Sequence, residues 1–301
     1  MTRSSASATA LLIALLSSAR AAAYVRTRTS SGTPIEWRRG CPHLVMSALE
    51  NPDLPHEQLR AALERAVAAW LAPTAACGHL NLSIDGGTSG VADVRHDDIN
   101  LVLWRLPGFC QDPQSAQAAV CSAVAAAAVT TVFFYDRPGS DRDGEMIEAD
   151  LELNAAAFPF SDDGAPDKID LQNTLTHELG HVLGLDHTCY TFSQTRAPVD
   201  AVGHPVPRCF PLANLAPDVT AATMFAFEAL GEISKRVPRA DEWQGLCAIY
   251  RGHSDVCESA LAGCQVVPAR ARPGDGGLAV VLLSGAALVL TVRRRLRRRA
   301  R

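Results

Sequence analysis

The segment Thr176-His177-Glu178-Leu179-Gly180-His181-Val182-Leu183-Gly184-Leu185-Asp186-His187 constrains this chain more than any other. His177 and His181 stand four residues apart. On a helix they share one face and can grip a single ion. Glu178 follows the first of them, where it can reach a water at that ion. Gly184 comes three residues after His181, and a glycine there can take the left-handed conformation that stops a helix. The chain then turns and can bring His187 back as a third ligand. Three neutral imidazoles leave the fourth position of a tetrahedral zinc site open, which is the catalytic arrangement. Leu179, Val182 and Leu183 supply the apolar face that buries such a helix.

Helices and strands alternate around this segment. His56 to Trp70 has helical spacing, opened by Pro55 and closed by Pro73. Ile99 to Trp104 and Thr130 to Tyr135 read as strands rich in β-formers. The Ala-rich stretch 116–128 reads as helix. Ala149 to Asn154 alternates apolar and polar, as a half-buried strand does. Asp170 to Gly184 and Ala240 to Tyr250 read as helices. Residues 24–34 are polar and read as a flexible leader, and Pro198 to Pro217 as irregular.

The two ends have compositions of their own. Arg3, the apolar run Ala10 to Leu16 and Ala21-Ala22-Ala23 form a secretory signal pattern, so residues 1–23 are expected to be removed. Residues 252–275 read as a polar linker. Gly276 to Val292 carries no charge and is followed by seven arginines up to Arg301. As a helix that run reaches about 26 Å, just short of a typical hydrocarbon core of about 30 Å. The arginines would hold the C-terminus in the cytoplasm. Setting aside the seven tail arginines with Arg3 and Arg20 takes the formal charge from −4 to −13. An acidic exported part argues against nucleic acid as a partner and leaves the membrane to the C-terminal segment.

Nine cysteines in an exported chain point to disulfides. The simplest scheme pairs sequence neighbours: Cys41–Cys77, Cys110–Cys121, Cys189–Cys209 and Cys247–Cys257, leaving Cys264 in the linker.

The pattern of residues 177–187 is that of the metzincin zinc peptidases, and its surroundings resemble the matrixin branch. The resemblance implies an α/β (α+β) fold: a twisted mixed sheet over a long active-site helix, with a C-terminal subdomain bearing a methionine turn. Met224, in Ala222-Thr223-Met224-Phe225, matches that turn. Thr188 is similar to the small hydroxyl residue that follows the third histidine in matrixins. Residues 145–154 (EMIEADLELN) resemble the strand on the upper rim of the cleft, and Ala149 to Asn154 is expected to pair with an extended substrate. Residues 239–250 resemble the closing helix. The likeness covers about residues 35–251 and is strong from Glu145 onward. Ala226 departs from the proline that matrixins commonly carry two residues after the methionine. The stretch between His187 and Met224 is longer than usual, and no cysteine-switch propeptide is present. The tail, with its linker cysteine, apolar run and arginine cluster, is similar to the C-terminal sorting tails of exported myxobacterial proteins.

These readings predict an exported zinc endopeptidase of protein or peptide substrates, at the cell surface or released. His177, His181 and His187 would hold the metal, and Glu178 would act as general base. Two other readings are a catalytically silent surface-binding protein of the same fold and a zinc amidase acting on something other than protein. Asp136, Asp141, Asp143 and Glu145, with Gly139 and Gly144, form an acidic loop that could take calcium, although a solvated loop is the commoner outcome. His43, His56, His79, His96, His204 and His253 lack ligand spacing and read as surface or satisfied histidines.

Overall fold

The computed structural model describes residues 24–38, 42–75, 80–106, 126–191 and 197–251, together with the backbone of 278–287. The expected signal, linker and arginine cluster lie outside these residues, as do residues 116–125 and six of the nine cysteines.

The elements follow in the order β1 (Val25–Arg26), β2 (His43–Ser47), α1 (His56–Thr74), β3 (Ser83–Ser89), β4 (Asn100–Trp104), β5 (Ala126–Tyr135), β6 (Met146–Leu153), β7 (Phe160–Ser161), β8 (Ile169–Asp170), α2 (Leu171–Val182), β9 (Leu185–Asp186), β10 (Phe227–Glu228), α3 (Ala240–Tyr250) and β11 (Leu278–Ala287). The fold is mixed α/β. Five strands form a mixed sheet in the order β3-β2-β4-β6-β5, all parallel except β5. On the outer edge of β5 the sheet continues with β11, antiparallel, and then β10.

Helices α1 and α2 pack against each other, and α2 lies on β5 and β6. Trp70, Leu175, Leu179 and Val182 meet Ala149, Leu151 and Leu153 in one apolar core. The Trp70 indole donates to the Thr176 carbonyl, fixing α1 against α2. At the C-terminal end of α2, carbonyls with no partner inside the helix accept from elsewhere. Trp37 donates to Val182 at 2.6 Å, and Tyr250 to Leu183 at 3.2 Å. Helix α2 is thereby bolted to both the N-terminal segment and α3.

Six expectations change. Residues 24–34 are not a leader: β1 pairs with β9, and Val25, Thr27 and Thr29 are buried. Their alternation was masked because two of the three buried residues are threonines. The end of the Ala-rich stretch, Ala126–Ala128, is strand rather than helix, since alanine's helix preference is weak against a sheet partner. Helix α1 runs on past Pro73 to Thr74. The strand at Ala149 to Asn154 cannot accept a substrate strand, because β6 already has β4 on one side and β5 on the other. Nor is β6 half-buried, because Glu148, Asp150 and Glu152 on its second face are covered too. Finally, within the apolar run 276–292, Leu278–Ala287 forms a strand instead of a helix. Among the described residues no helix is long and apolar enough to cross a membrane.

Candidate metal centre

Asp170 opens α2 as its N-cap, accepting from the Asn173 amide at 2.9 Å while Arg236 pairs with the same carboxylate. The helix then carries His177, Glu178 and His181 on fully buried turns. Gly184 ends the element with φ +88°, as its position predicts. It also sits close to the Ile35 carbonyl, where a Cβ would come within 2.9 Å. Beyond it β9 runs antiparallel to β1 and delivers His187, whose amide donates to Asp186 Oδ1 at 2.7 Å.

The three imidazoles converge. Nε2 of His187 lies 3.2 Å from Nε2 of His177 and 3.1 Å from Nε2 of His181. A tetrahedral zinc with bonds of 2.0–2.1 Å separates its nitrogens by roughly 3.3 Å, so the spacing fits. The outer nitrogens support the fit. His177 Nδ1 contacts the Thr223 carbonyl at 2.7 Å, and His181 Nδ1 contacts the Leu185 carbonyl at 2.9 Å. A carbonyl can only accept, so each Nδ1 carries the proton and each Nε2 turns a lone pair inward. Burial pushes all three histidines below their ordinary pKa, His181 to about 4. The positive charge of Lys235 adds to the effect. The cluster is therefore neutral at pH 7, with lone pairs facing each other, the state that a divalent cation requires.

Glu178 is fully buried beside the cluster, and the Thr130 hydroxyl of β5 donates to its Oε2 at 2.7 Å. Met224 lies beneath the helix. A Cβ on Gly180 would meet the Met224 sulfur at 2.2 Å, so only glycine lets the methionine approach the helix so closely. The turn around Met224 is held from two sides. Its amide donates to Glu242 Oε1 of α3 at 2.6 Å, and its carbonyl accepts from Thr188 at 3.1 Å. Buried Lys235 donates to the carbonyls of Phe225 and Phe227, while Asn173 and Thr174 of α2 hold Glu228. The long insertion before the turn is closed by the Cys189–Cys209 disulfide, as expected. Cys247 is disulfide-bonded as well.

Gly180, Thr130, Lys235 and Glu242 were not singled out from the sequence. Only Gly180 left a signal, because a glycine in a helix interior calls for a packing reason. In the acidic loop, Asp136 accepts from Ser30 and Asp143 from Ser31, Thr29 and the Arg137 amide. Those carboxylates are committed to hydrogen bonds with the segment that follows β1.

Glu242 gives the centre a pH dependence. Burial raises its carboxyl to about 7. A folded pKa above the unfolded one means that the fold holds this proton more tightly. The stabilisation is thus complete below the ordinary carboxyl range and is lost as pH rises towards 7, by something on the order of 3 kcal/mol. Glu242→Gln keeps an oxygen for the Met224 amide but has no proton to lose. The difference in melting temperature between the variant and the natural protein should shift in the variant's favour between pH 5 and 8. A pH-independent difference in thermal scans would refute this.

No family model matches the chain, and no curated protein is significantly similar to it.

Proposed function

We propose that this protein is an exported zinc endopeptidase of the matrixin type, with residues 24–251 as its catalytic part. The observation that carries the reading is the set of three inward Nε2 atoms within 3.2 Å beside the buried Glu178. His177, His181 and His187 would hold the ion. When bound, zinc supplies Lewis-acid chemistry, polarising a carbonyl and acidifying water towards neutral pH. Glu178 takes a proton from the attacking water and passes it to the leaving amine. The Thr130 hydroxyl keeps the carboxylate turned to that task. Thr188, Glu242 and Lys235 fix the turn beneath the ligands, so that their geometry survives a turnover.

Substrate pairing belongs to β5 in this reading. It is an edge strand of the five, it carries Thr130, and its outer edge is the one that β11 covers. An extended peptide would add there by β-pairing. Export follows from the signal pattern of residues 1–23 and remains part of the proposal.

Zinc analysis joined to an assay tests the reading. The full-length protein purified without chelator should contain zinc and cleave an unstructured peptide library. A chelator should stop cleavage, and added zinc should restore it. Protein that carries zinc but cleaves nothing would favour the silent binding protein.

A further inference from the structure

A cavity of about 510 Å³ opens where β1 and the turn after it meet β9 and the insertion. That size suits a small organic ligand. Arg26, Arg28 and residues 29–32 line it from the N-terminal side, Asp186 from β9, and Ala197, Pro198 and Val199 from the insertion. The alternation of an extended chain puts both arginines there. Val25, Thr27 and Thr29 are buried, so Arg26 and Arg28 share the opposite face.

Arg28 is the informative member. Arg26 is matched at its tip, where Nη2 donates to Glu36 and to the Ile35 carbonyl. Arg28 forms no ion pair among the described residues. Its Nη1 donates to the Gly32 carbonyl at 2.9 Å, which leaves Nε and Nη2 as a side-on fork. Nε of both arginines is buried and meets no acceptor among the described residues. A buried donor left in this state is costly unless an acceptor arrives. Burial and the charge of Arg26 also hold Arg28 below its ordinary pKa. The turn itself is fixed beforehand, because Ser30 donates to Asp136 and Ser31 to Asp143. A site ordered in advance loses little freedom on binding.

We propose that this cavity binds a carboxylate ligand with an apolar body. Arg28 takes the carboxylate with Arg26 Nε beside it, and the body lies on Ala197, Pro198 and Val199. A guanidinium fork matches a carboxylate with two parallel hydrogen bonds. Asp186, the one acid on the lining, spends Oδ1 on the His187 amide. Its presence suits the cavity to a single negative charge rather than to a phosphate dianion. Small organic acids and the free C-terminus of a cleaved peptide share this chemistry. The proposal does not rest on the catalytic reading, since binding alone tests it.

Titration calorimetry on the full-length, zinc-loaded protein tests it. N-acetyl-leucine should bind, and N-acetyl-leucinamide, which has the same shape without the charge, should bind roughly ten- to a hundredfold more weakly. Arg28→Gln should lose this preference for acid over amide. Arg28→Lys keeps the charge but not the fork, and should recover only part of it. An acetylated tripeptide acid ending in leucine separates the two sources. Tighter binding than N-acetyl-leucine supports peptide C-termini, and equal binding supports small acids. A carboxylate can also ligate zinc, and that route would leave the preference intact in Arg28→Gln, which would overturn the proposal. So would equal affinities of acid and amide for the natural protein, or no binding of either, a comparison that needs no variant.

Discussion

Replacing Glu178 with alanine is expected to lower peptide hydrolysis about a thousandfold and leave the zinc content of the chain unchanged. The two effects separate because Glu178 and the ligands are held by different partners. The outer nitrogens of His177 and His181 lean on the carbonyls of Thr223 and Leu185, which the substitution does not touch. Thr130 loses the Oε2 acceptor but keeps the Glu178 backbone carbonyl, 3.4 Å from its hydroxyl. The variant should therefore fold, as circular dichroism would register, and bind its metal. Activity within tenfold of the natural protein would remove Glu178 from the role of base. Loss of metal with the activity would show that the carboxylate helps to hold the ion.

Ending the chain at Asp275 should raise kcat/KM on extended peptides, by roughly ten- to a hundredfold if the docked strand populates the covered state at 90–99%. Strand β11 lies antiparallel along β5 with Leu283 opposite Thr130, the residue that touches the base. A substrate that needs this edge competes with the protein's own C-terminal segment. The gain should be confined to peptides long enough to pair as strands, since a short ester or amide probe does not use the edge. Kinetics on a length series would separate the two. Equal rates for truncated and full-length protein on long peptides would place the substrate elsewhere. An uncovered β5 edge also invites self-association, so the truncated form should show a larger concentration-dependent sedimentation coefficient.

Much of the centre is legible in the sequence because its ligands are local. His177, Glu178 and His181 sit on consecutive turns of one helix, and Gly184 fixes where the chain reverses, so spacing alone predicts their meeting. Helix α3 is legible over its full length. What fails is whatever depends on distant partners. The buried acidic face of β6 reads as solvent-facing, because nothing near it announces that residues 93–105 fold over it. The run 276–292 has no polar punctuation, and without periodicity an apolar run does not distinguish strand from helix. In residues 24–34, threonine hid a strand behind polar chemistry.

That last segment decides when the centre can exist. β1 pairs with β9, and Thr27 donates to the Gly184 carbonyl at 3.2 Å, so the turn carrying His187 is braced by the opening of the folded region. These partners are separated by most of the domain, and contacts of such sequence span form slowly and late in folding. A chain whose C-terminal half has formed before β1 docks has the two helical histidines but not the braced third. Under the function proposed above, its metal chemistry would be withheld until the domain is complete.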